Sequence, residues 1–256
     1  MIWMNTGVSF PGVWPTFDAR GADPGSGMAR SGSLDSVRGM GVVYLVRHGQ
    51  ASFGADDYDV LSQTGWEQGR LLGAWLAARG VEPTAVVQGG MRRHRETAEA
   101  AGWAGAVVDA GWDEFDHLGV VARFPDHPEA GLDNRAFQRV FELATGRWTA
   151  GGHDDEYDES WPAFRARVTR SLDDACAQAG PGGTVVVVTS GGPIAAACAA
   201  LVDREADDAT FGRLWSRFNT TVVNSSFTRV VVGSTGPRLL TFNEHPHLEG
   251  DLVTYR

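Results

Sequence analysis

The sequence predicts an α/β fold, a three-layer sandwich in which a mostly parallel central sheet is flanked by helices and carries a small helical insert. Two short runs, residues 42–46 and 185–188, are apolar at every position, which is typical of strands buried on both faces of a parallel sheet. Each run is followed by a polar or glycine-rich turn and then by a segment with helical spacing. Such alternation of strands and helices favours a sheet covered by helices on both sides.

The N-terminal half of the domain contains three predicted strands. The strand at 42–46 ends in polar residues, and a helix follows in which Thr64 and Glu67 form a predicted capping box. A second strand at 85–87 leads through two glycines into an arginine-rich helix, and a third strand occupies 106–108. Because α/β folds place their sites at the carboxyl ends of strands, the polar residues after the first strand are candidates for chemistry.

The C-terminal half begins with an insert at about 122–158. It is rich in proline, glycine, aspartate and aromatic residues, and we expect it to form a helical cap with loops. The other predicted elements are, in chain order, a helix at 161–179, the strand at 185–188, a helix with an early proline that ends at residue 201, and strands near 221–232 and 239–242.

The charge balance restricts the classes of partner. The chain has 256 residues, of which 22 are basic and 32 acidic, and its formal net charge is −10. This balance disfavours a general role in binding nucleic acid or an anionic membrane, so any site for an anionic group must be a local basic pocket. No apolar stretch approaches the roughly 18 to 20 residues that a membrane span needs. We therefore expect a cytoplasmic protein with neither nucleic acid nor membrane as partner.

The cysteines and histidines do not form a metal-binding pattern. Cys176 and Cys198 lack zinc or redox spacing and are interpreted as reduced core thiols. The seven histidines also lack the paired spacings of zinc sites, so no metal and no cofactor is predicted. Residues 1–40 show neither periodicity nor a signal-peptide pattern, and we interpret them as a disordered N-terminal extension before a single domain at 41–256.

An ordered series of motifs follows the predicted elements. Arg-His-Gly stands at 47–49, and the others are L-S-Q-T-G-W-E-Q at 61–68, M-R-R-H-R-E-T-A at 91–98 and V-V-T-S-G-G-P-I at 187–194. This series resembles R-H-G, L-T-x-x-G-x-x-Q, L-x-R-A-x-Q-T-A and V-x-S-H-G-G-x-I of the histidine phosphatase superfamily, in the branch that includes cofactor-dependent phosphoglycerate mutases. The resemblance covers about residues 41–245.

The resemblance implies roles for four side chains, and elementary chemistry supports each of them. His48 would be the nucleophile, because a neutral imidazole can attack phosphorus near pH 7 and a phosphohistidine divides hydrolysis into two steps. Arg47 and Arg93 would hold the phosphoryl oxygens, since a guanidinium can donate two parallel hydrogen bonds. Glu114, one of three carboxylates in its loop, would protonate the leaving alcohol and then activate water.

Two departures from the family pattern affect the phosphate site. Ser190 stands where the family has a histidine, so a hydroxyl beside the Gly191 amide at a helix start replaces a charged donor. His117 could supply the missing imidazole, and Ser52 could replace an asparagine with which mutases of the family hold phosphate. Losing one charge-assisted donor is worth about 10²- to 10³-fold in rate, which weakens such a site without abolishing it.

The sequence therefore predicts a metal-independent phosphomonoesterase that acts on a small phosphorylated metabolite through a phosphohistidine at His48. A weakened or non-catalytic phosphate-binding relative and a phosphoglycerate mutase-type phosphoryl transferase remain open. A serine hydrolase with Ser190 as nucleophile is disfavoured, because Val188 stands where the G-x-S-x-G turn needs its first glycine. The expected partner is a small phosphorylated substrate, and a homodimer is compatible with the sequence.

Overall fold

A six-stranded sheet forms the centre of the structure, a computed structural model that describes residues 39–52, 59–125 and 134–255. Its strands are β1 Gly41–Arg47, β2 Ala85–Gln88, β3 Val107–Val108, β4 Thr184–Thr189, β5 Phe227–Gly233 and β6 Gly236–Glu244. They lie in the order β3-β2-β4-β1-β5-β6. The first four in this order are parallel, β5 is antiparallel to β1, and β6 is antiparallel to β5. The predicted α/β fold with a mostly parallel sheet is confirmed.

Helices cover both faces of this sheet. Within the described residues they are α1 Gln63–Ala77, α2 Arg92–Ala100, α3 His117–Ala122, α4 Asn134–Ala150, α5 Trp161–Ala179, α6 Gly191–Val202 and α7 Asp208–Asn219. Successive side chains of β1 enter different cores, since Leu45 packs in the cluster that includes α5 and α6, whereas Val46 packs in the cluster that includes α1. Burial on both faces explains why the strand is apolar throughout, and it makes the fold a three-layer sandwich.

The predicted extension and the predicted insert are only partly described. Residues 1–38 of the extension lie outside the described residues. Within the insert the structure has α4 and a short 3₁₀ turn, Asp154–Glu156, while residues 126–133 lie outside the described part. None of the described helices is long and apolar enough to cross a membrane.

The start of α1 differs from the prediction. Ser62 is the N-cap, because its backbone is extended and its Oγ accepts a hydrogen bond from the Gly65 N–H at 3.1 Å. Thr64 already lies in the first turn. The helix is present as predicted, but the capping box of Thr64 and Glu67 is wrong.

The chain after α6 differs more. The helix α7 was not predicted from the sequence. Asp207 caps it by accepting the Thr210 N–H at 2.7 Å, and it buries Phe211 and Trp215 one turn apart. Two aromatic side chains one turn apart, after a capping aspartate, were the available signal for this helix.

The first late strand is also shorter than predicted. The strand expected at 221–232 begins only at Phe227, so the prediction is wrong for residues 221–226. Ser225 has a φ of 62°, in the left-handed region, which interrupts extended backbone at this point.

The carboxyl ends of three neighbouring strands meet at one edge of the sheet. Arg47 of β1 lies opposite Thr189 of β4, and the His48 N–H donates to the Thr189 carbonyl at 2.8 Å. Gln88 of β2 lies opposite Val188 on the other side of β4. The residues that follow these strands, including the start of α2 and the start of α6, therefore converge.

Candidate active site

His48 is buried at this convergence, with 5% of its surface exposed. Its Nδ1 lies 2.7 Å from the carbonyl oxygen of Gly49. Because a carbonyl oxygen can only accept, Nδ1 carries the proton and Nε2 keeps its lone pair. Burial, followed by the positive charges of Arg93 and Arg47, lowers the pKa of His48 well below its ordinary value of 6.5. The imidazole is therefore neutral at physiological pH, with a free nucleophilic nitrogen.

Close contacts with α1 and α2 hold the loop that carries His48. A Cβ on Gly49 would lie 2.4 Å from the Gly65 carbonyl oxygen, so the loop and the start of α1 approach at a distance that glycine allows. The Gly49 N–H donates to Thr97 Oγ1 at 3.0 Å, and that hydroxyl donates to the Arg93 carbonyl at 2.7 Å. The position of His48 is thus tied to the helix that carries Arg93.

Gln68 connects the same loop to the end of the chain. Its side-chain oxygen accepts the Gln50 N–H at 2.7 Å, and its Nε2 donates to the Leu252 carbonyl at 2.8 Å and to Thr254 Oγ1 at 2.9 Å. Gln68 is fully buried. The glutamine that ends the second motif is therefore a structural link, which accounts for its place in the series.

Arg47 turns from the end of β1 toward the start of α6. Its Nη1 donates to the carbonyl oxygens of Val222 and Tyr255, the latter at 3.1 Å. A Cβ on Gly191 would lie 3.9 Å from its Nε. The guanidinium group thus lies beside the first residue of α6, where the helix amides also favour an anion.

Arg93 is the arginine of α2 that points inward. It is 6% exposed, whereas Arg92 and Arg95 are exposed. Its Nη1 forms an ion pair of 2.8 Å with Asp59, which also accepts the Arg92 N–H at the start of the helix. The structure therefore places the predicted arginine near His48, and it adds Asp59, which the sequence analysis did not name.

Glu114 is the carboxylate of its loop that contacts α6. Its Oε2 accepts the Gly192 N–H at 3.1 Å. Asp113 instead accepts the Gly90 N–H, and Asp116 caps α3 by accepting the Gly119 N–H at 2.9 Å. The contacts distinguish three carboxylates that the sequence left as competitors, and they favour Glu114 as the candidate proton donor.

Ser190 is fully buried at the N-cap of α6, and its hydroxyl makes no capping bond. Its Oγ lies 2.8 Å from Nε2 of His94. His94 was not among the residues predicted from the sequence, although the family motif has alanine at that position. A histidine in place of alanine at 94, together with a serine in place of histidine at 190, was the available signal.

The remaining candidates lie around this centre. His117 is the first residue of α3, and burial lowers its pKa while the Glu114 charge acts in the opposite direction. Gly191 begins α6. Ser52 pairs through its N–H with the Val60 carbonyl at 2.8 Å, directly before residues 53–58, which lie outside the described part.

The described residues contain no group of three histidine, cysteine, aspartate or glutamate side chains that could hold a metal ion. Cys176 and Cys198 are buried free thiols. Burial raises the pKa of Cys176 to about 11 and that of Cys198 to about 12, so neither thiol is reactive at neutral pH.

Comparison with protein families identifies a matching family. The model described as histidine phosphatase superfamily (branch 1) matches residues 43–245, which include every candidate site residue named above. A search of curated proteins finds no match.

Solved structures share the fold at low sequence identity. A phosphoserine phosphatase mutant from Entamoeba histolytica, in complex with phosphoserine, is 17% identical with a TM-score of 0.58, and covers 81% of this chain and 99% of that one. A mycobacterial glucosyl-3-phosphoglycerate phosphatase in complex with VO3 is 22% identical with a TM-score of 0.57, covering 79% and 99%. Phosphoglycerate mutase from Bacillus anthracis str. Sterne is 18% identical with a TM-score of 0.51, covering 83% and 97%.

Proposed function

We propose that this chain, which belongs to the histidine phosphatase superfamily, is a metal-independent phosphomonoesterase that acts on a small phosphorylated metabolite through a phosphohistidine at His48. The state of His48 carries the proposal. A buried imidazole whose Nδ1 proton is held by a carbonyl, and whose pKa is lowered by burial and two arginines, is a neutral nucleophile at physiological pH.

In the first step, Nε2 of His48 attacks phosphorus as the bond to the ester oxygen breaks. Arg47, Arg93 and the first amides of α6 stabilise the negative charge on the phosphoryl oxygens, which is the charge stabilisation that a metal ion supplies in other phosphatases. Glu114, in its protonated form, gives its proton to the leaving alcohol.

In the second step, water attacks the phosphohistidine. Glu114, now ionised, takes a proton from the water, the N–P bond breaks, and inorganic phosphate leaves with His48 neutral again. Glu114 is partly exposed, so its carboxyl can reach both the alcohol and the water. Its hydrogen bond with the Gly192 N–H holds it beside the positive end of α6.

The structural neighbours support a phosphatase, because two of those named are phosphatases of the same fold. A phosphoryl transferase of the phosphoglycerate mutase type is the second candidate, since a mutase shares the fold as well. A mutase must keep its phosphohistidine for a second substrate, and this chain has Gln50-Ala51-Ser52 where mutases of the family continue E-T-x-W-N after the R-H-G turn. We therefore favour the hydrolase.

A panel of phosphomonoesters assayed with a chelator tests the proposal. The wild type should release inorganic phosphate from at least one member at an unchanged rate in EDTA, and His48→Asn should not. Complete loss in EDTA that a divalent ion restores would contradict metal independence. Binding of inorganic phosphate without turnover of any ester would favour the non-catalytic alternative, which the serine at 190 motivates.

A further inference from the structure

A second buried imidazole lies next to His48. His94, the third residue of α2, is fully buried, and its ring centroid lies 5.8 Å from that of His48. Its Nε2 lies 2.8 Å from Oγ of Ser190. Three elements that follow neighbouring strands thus bring two histidines and one serine into a single cluster.

We propose that His94 supplies the second imidazole of the phosphate pocket and acts through the hydroxyl of Ser190, which it orients toward the phosphoryl group. Ser190 is then the donor to a phosphoryl oxygen, and His94 is the positioning residue behind it. The inference rests on the proposed function, because it concerns the same site.

The hydrogen bonds available to the ring set the direction of donation. Burial lowers the pKa of His94, whereas a hydrogen bond with the backbone of Gly89 raises it, and Nε2 lies 2.8 Å from Ser190 Oγ. The ring therefore has a partner on each side and donates to both only when it is protonated. Ser190 makes no capping bond with its side chain. When the ring is protonated and donates to Oγ, the hydroxyl hydrogen of Ser190 is available to a phosphoryl oxygen.

Small residues on both sides make room for the ring. A Cβ on Gly89 would lie 2.3 Å from Nδ1 and 2.8 Å from Cε1 of His94, so a larger residue at position 89 would displace the imidazole. At position 190, a longer side chain that followed the direction of Oγ would meet Nε2. Glycine at 89 and serine at 190 are thus matched to a histidine at 94.

Compared with the family motifs quoted above, position 94 has a larger residue and position 190 has a smaller one. L-x-R-A-x-Q-T-A has alanine where this chain has His94, and V-x-S-H-G-G-x-I has histidine where this chain has Ser190. An imidazole from α2 thus lies beside His48 and contacts the N-cap residue of α6, the position at which the motif has histidine. The serine therefore does not leave the pocket one imidazole short.

The charge state of the ring fits this role. Burial, followed by the charge of Arg93, lowers the pKa of His94 to about 3, so the ring is neutral in the empty pocket at physiological pH. A phosphoryl dianion beside Arg93 opposes that charge and favours the protonated ring. Donation toward Ser190 therefore strengthens when negative charge enters the pocket.

Substitutions at positions 94 and 190 test the inference. His94→Ala and Ser190→Ala should each lower kcat by about 10²- to 10³-fold with little change in KM, because each removes one transition-state donor. The double change His94→Ala with Ser190→Ala should cost no more than either alone, since the two residues act as one unit. Ser190→His introduced into His94→Ala should recover most of the loss. His153→Ala, in an exposed histidine of the insert, is the control and should match the wild type.

Several results would overturn the inference. These are wild-type kcat in His94→Ala, failure of Ser190→His to repair a folded His94→Ala protein, or a loss in His117→Ala that Ser190→His repairs instead. Phosphate label recovered on Ser190 would make the pair a nucleophile with its base, which is a different mechanism. Melting temperatures show whether each variant is folded.

Calorimetric titration with orthovanadate keeps this test separate from the proposed function. If the wild type turns over no phosphoester, the phosphatase proposal fails. Loss of vanadate affinity in His94→Ala, and its recovery when Ser190→His is added, would still support the pairing of His94 with Ser190. A wild type that turns over no phosphoester and binds no vanadate overturns both.

Discussion

The polar pocket at the strand ends and the aromatic cluster behind it are built from opposite kinds of residue. The pocket contains two arginines, Arg47 and Arg93, and two histidines, His48 and His94. Arg47 is half-buried and the other three are buried. The aromatic cluster consists of buried rings from the loop before α3 and from α4, α5 and α7: Phe115, Trp148, Trp161, Phe164, Phe211 and Trp215. The first region carries charge that must stay accessible to substrate, and the second buries apolar area that stabilises the fold.

Two contacts connect the regions. Phe115 follows Glu114 directly and stacks on Trp148 with ring centroids 4.9 Å apart. Trp215 Nε1 donates to the Gly192 carbonyl at 3.0 Å. Because Glu114 and Gly192 are hydrogen-bonded to each other, the cluster fixes both partners of that contact. The difference predicts that substitutions in the cluster act mainly on stability and substitutions in the pocket act mainly on turnover.

The largest expected effect is on stability, at Trp148. Trp148→Ala should lower the free energy of unfolding by about 3 to 5 kcal/mol, because it leaves a cavity among stacked rings. Urea denaturation measures it, with Phe137→Ala on the exposed side of α4 as the control. An unchanged urea midpoint in Trp148→Ala would show that the cluster does not support the fold.

A change at Arg93 should act on turnover. Arg93→Ala should lower kcat/KM by about 10²- to 10³-fold while the protein stays folded, since it removes a charged donor to the phosphoryl group. Arg47→Ala should behave alike. Arg95→Ala, on the exposed face of the same helix, should keep wild-type kinetics. Wild-type turnover in Arg93→Ala with loss in Arg92→Ala would mean that the inward arginine is misassigned.

A methyl group at Gly192 tests the connection between the regions. A Cβ there would lie 2.1 Å from Glu114 Oε1, so Gly192→Ala should displace the carboxylate and lower kcat by about 10²-fold. Gly146→Ala is the matched control in α4, where a Cβ meets nothing within 4 Å. It should raise the free energy of unfolding by about 0.5 to 1 kcal/mol without changing kcat. Equal kinetics in both variants would remove Glu114 from the mechanism.

The smallest expected effect concerns pH. Because the pKa of His48 is lowered well below 6.5, the imidazole stays neutral as pH falls through 6.5 and becomes protonated only at lower pH. Lowering the pH from 8 to below 6.5 should therefore cause no fall in kcat/KM, corrected for ionisation of the substrate. A decline with its midpoint near 6.5 would indicate a nucleophile with an ordinary pKa.

Much of the sheet and of the pocket could be predicted because both are local in sequence. Fully apolar runs identify β1 and β4, and Arg47, His48 and Ser190 follow those runs directly. The choice of Glu114 over Asp113 could not be made in this way, because it depends on which carboxylate reaches the Gly192 N–H, 78 residues away. The sequence of the loop does not indicate which carboxylate makes that contact.

His94 shows the same limit more clearly. In the sequence it is one polar residue among arginines on a helix, and such residues usually face solvent. Its burial arises from packing of α2 against the turns at Gly89 and Ser190, and the second of these lies 96 residues away. The sequence shows a larger residue than the family motif at position 94 and a smaller one at position 190. These two differences can be connected only when the two side chains are known to be in contact.

Phosphorylation of His48 is the step on which the proposed chemistry depends, and trapping the phosphoenzyme tests it directly. After brief incubation with a labelled phosphomonoester and an alkaline quench, peptide mapping should find acid-labile label on Nε2 of His48, because Nδ1 is held by the Gly49 carbonyl. His48→Ala should carry no label. Label on a serine, or label retained in His48→Ala, would contradict the proposed mechanism.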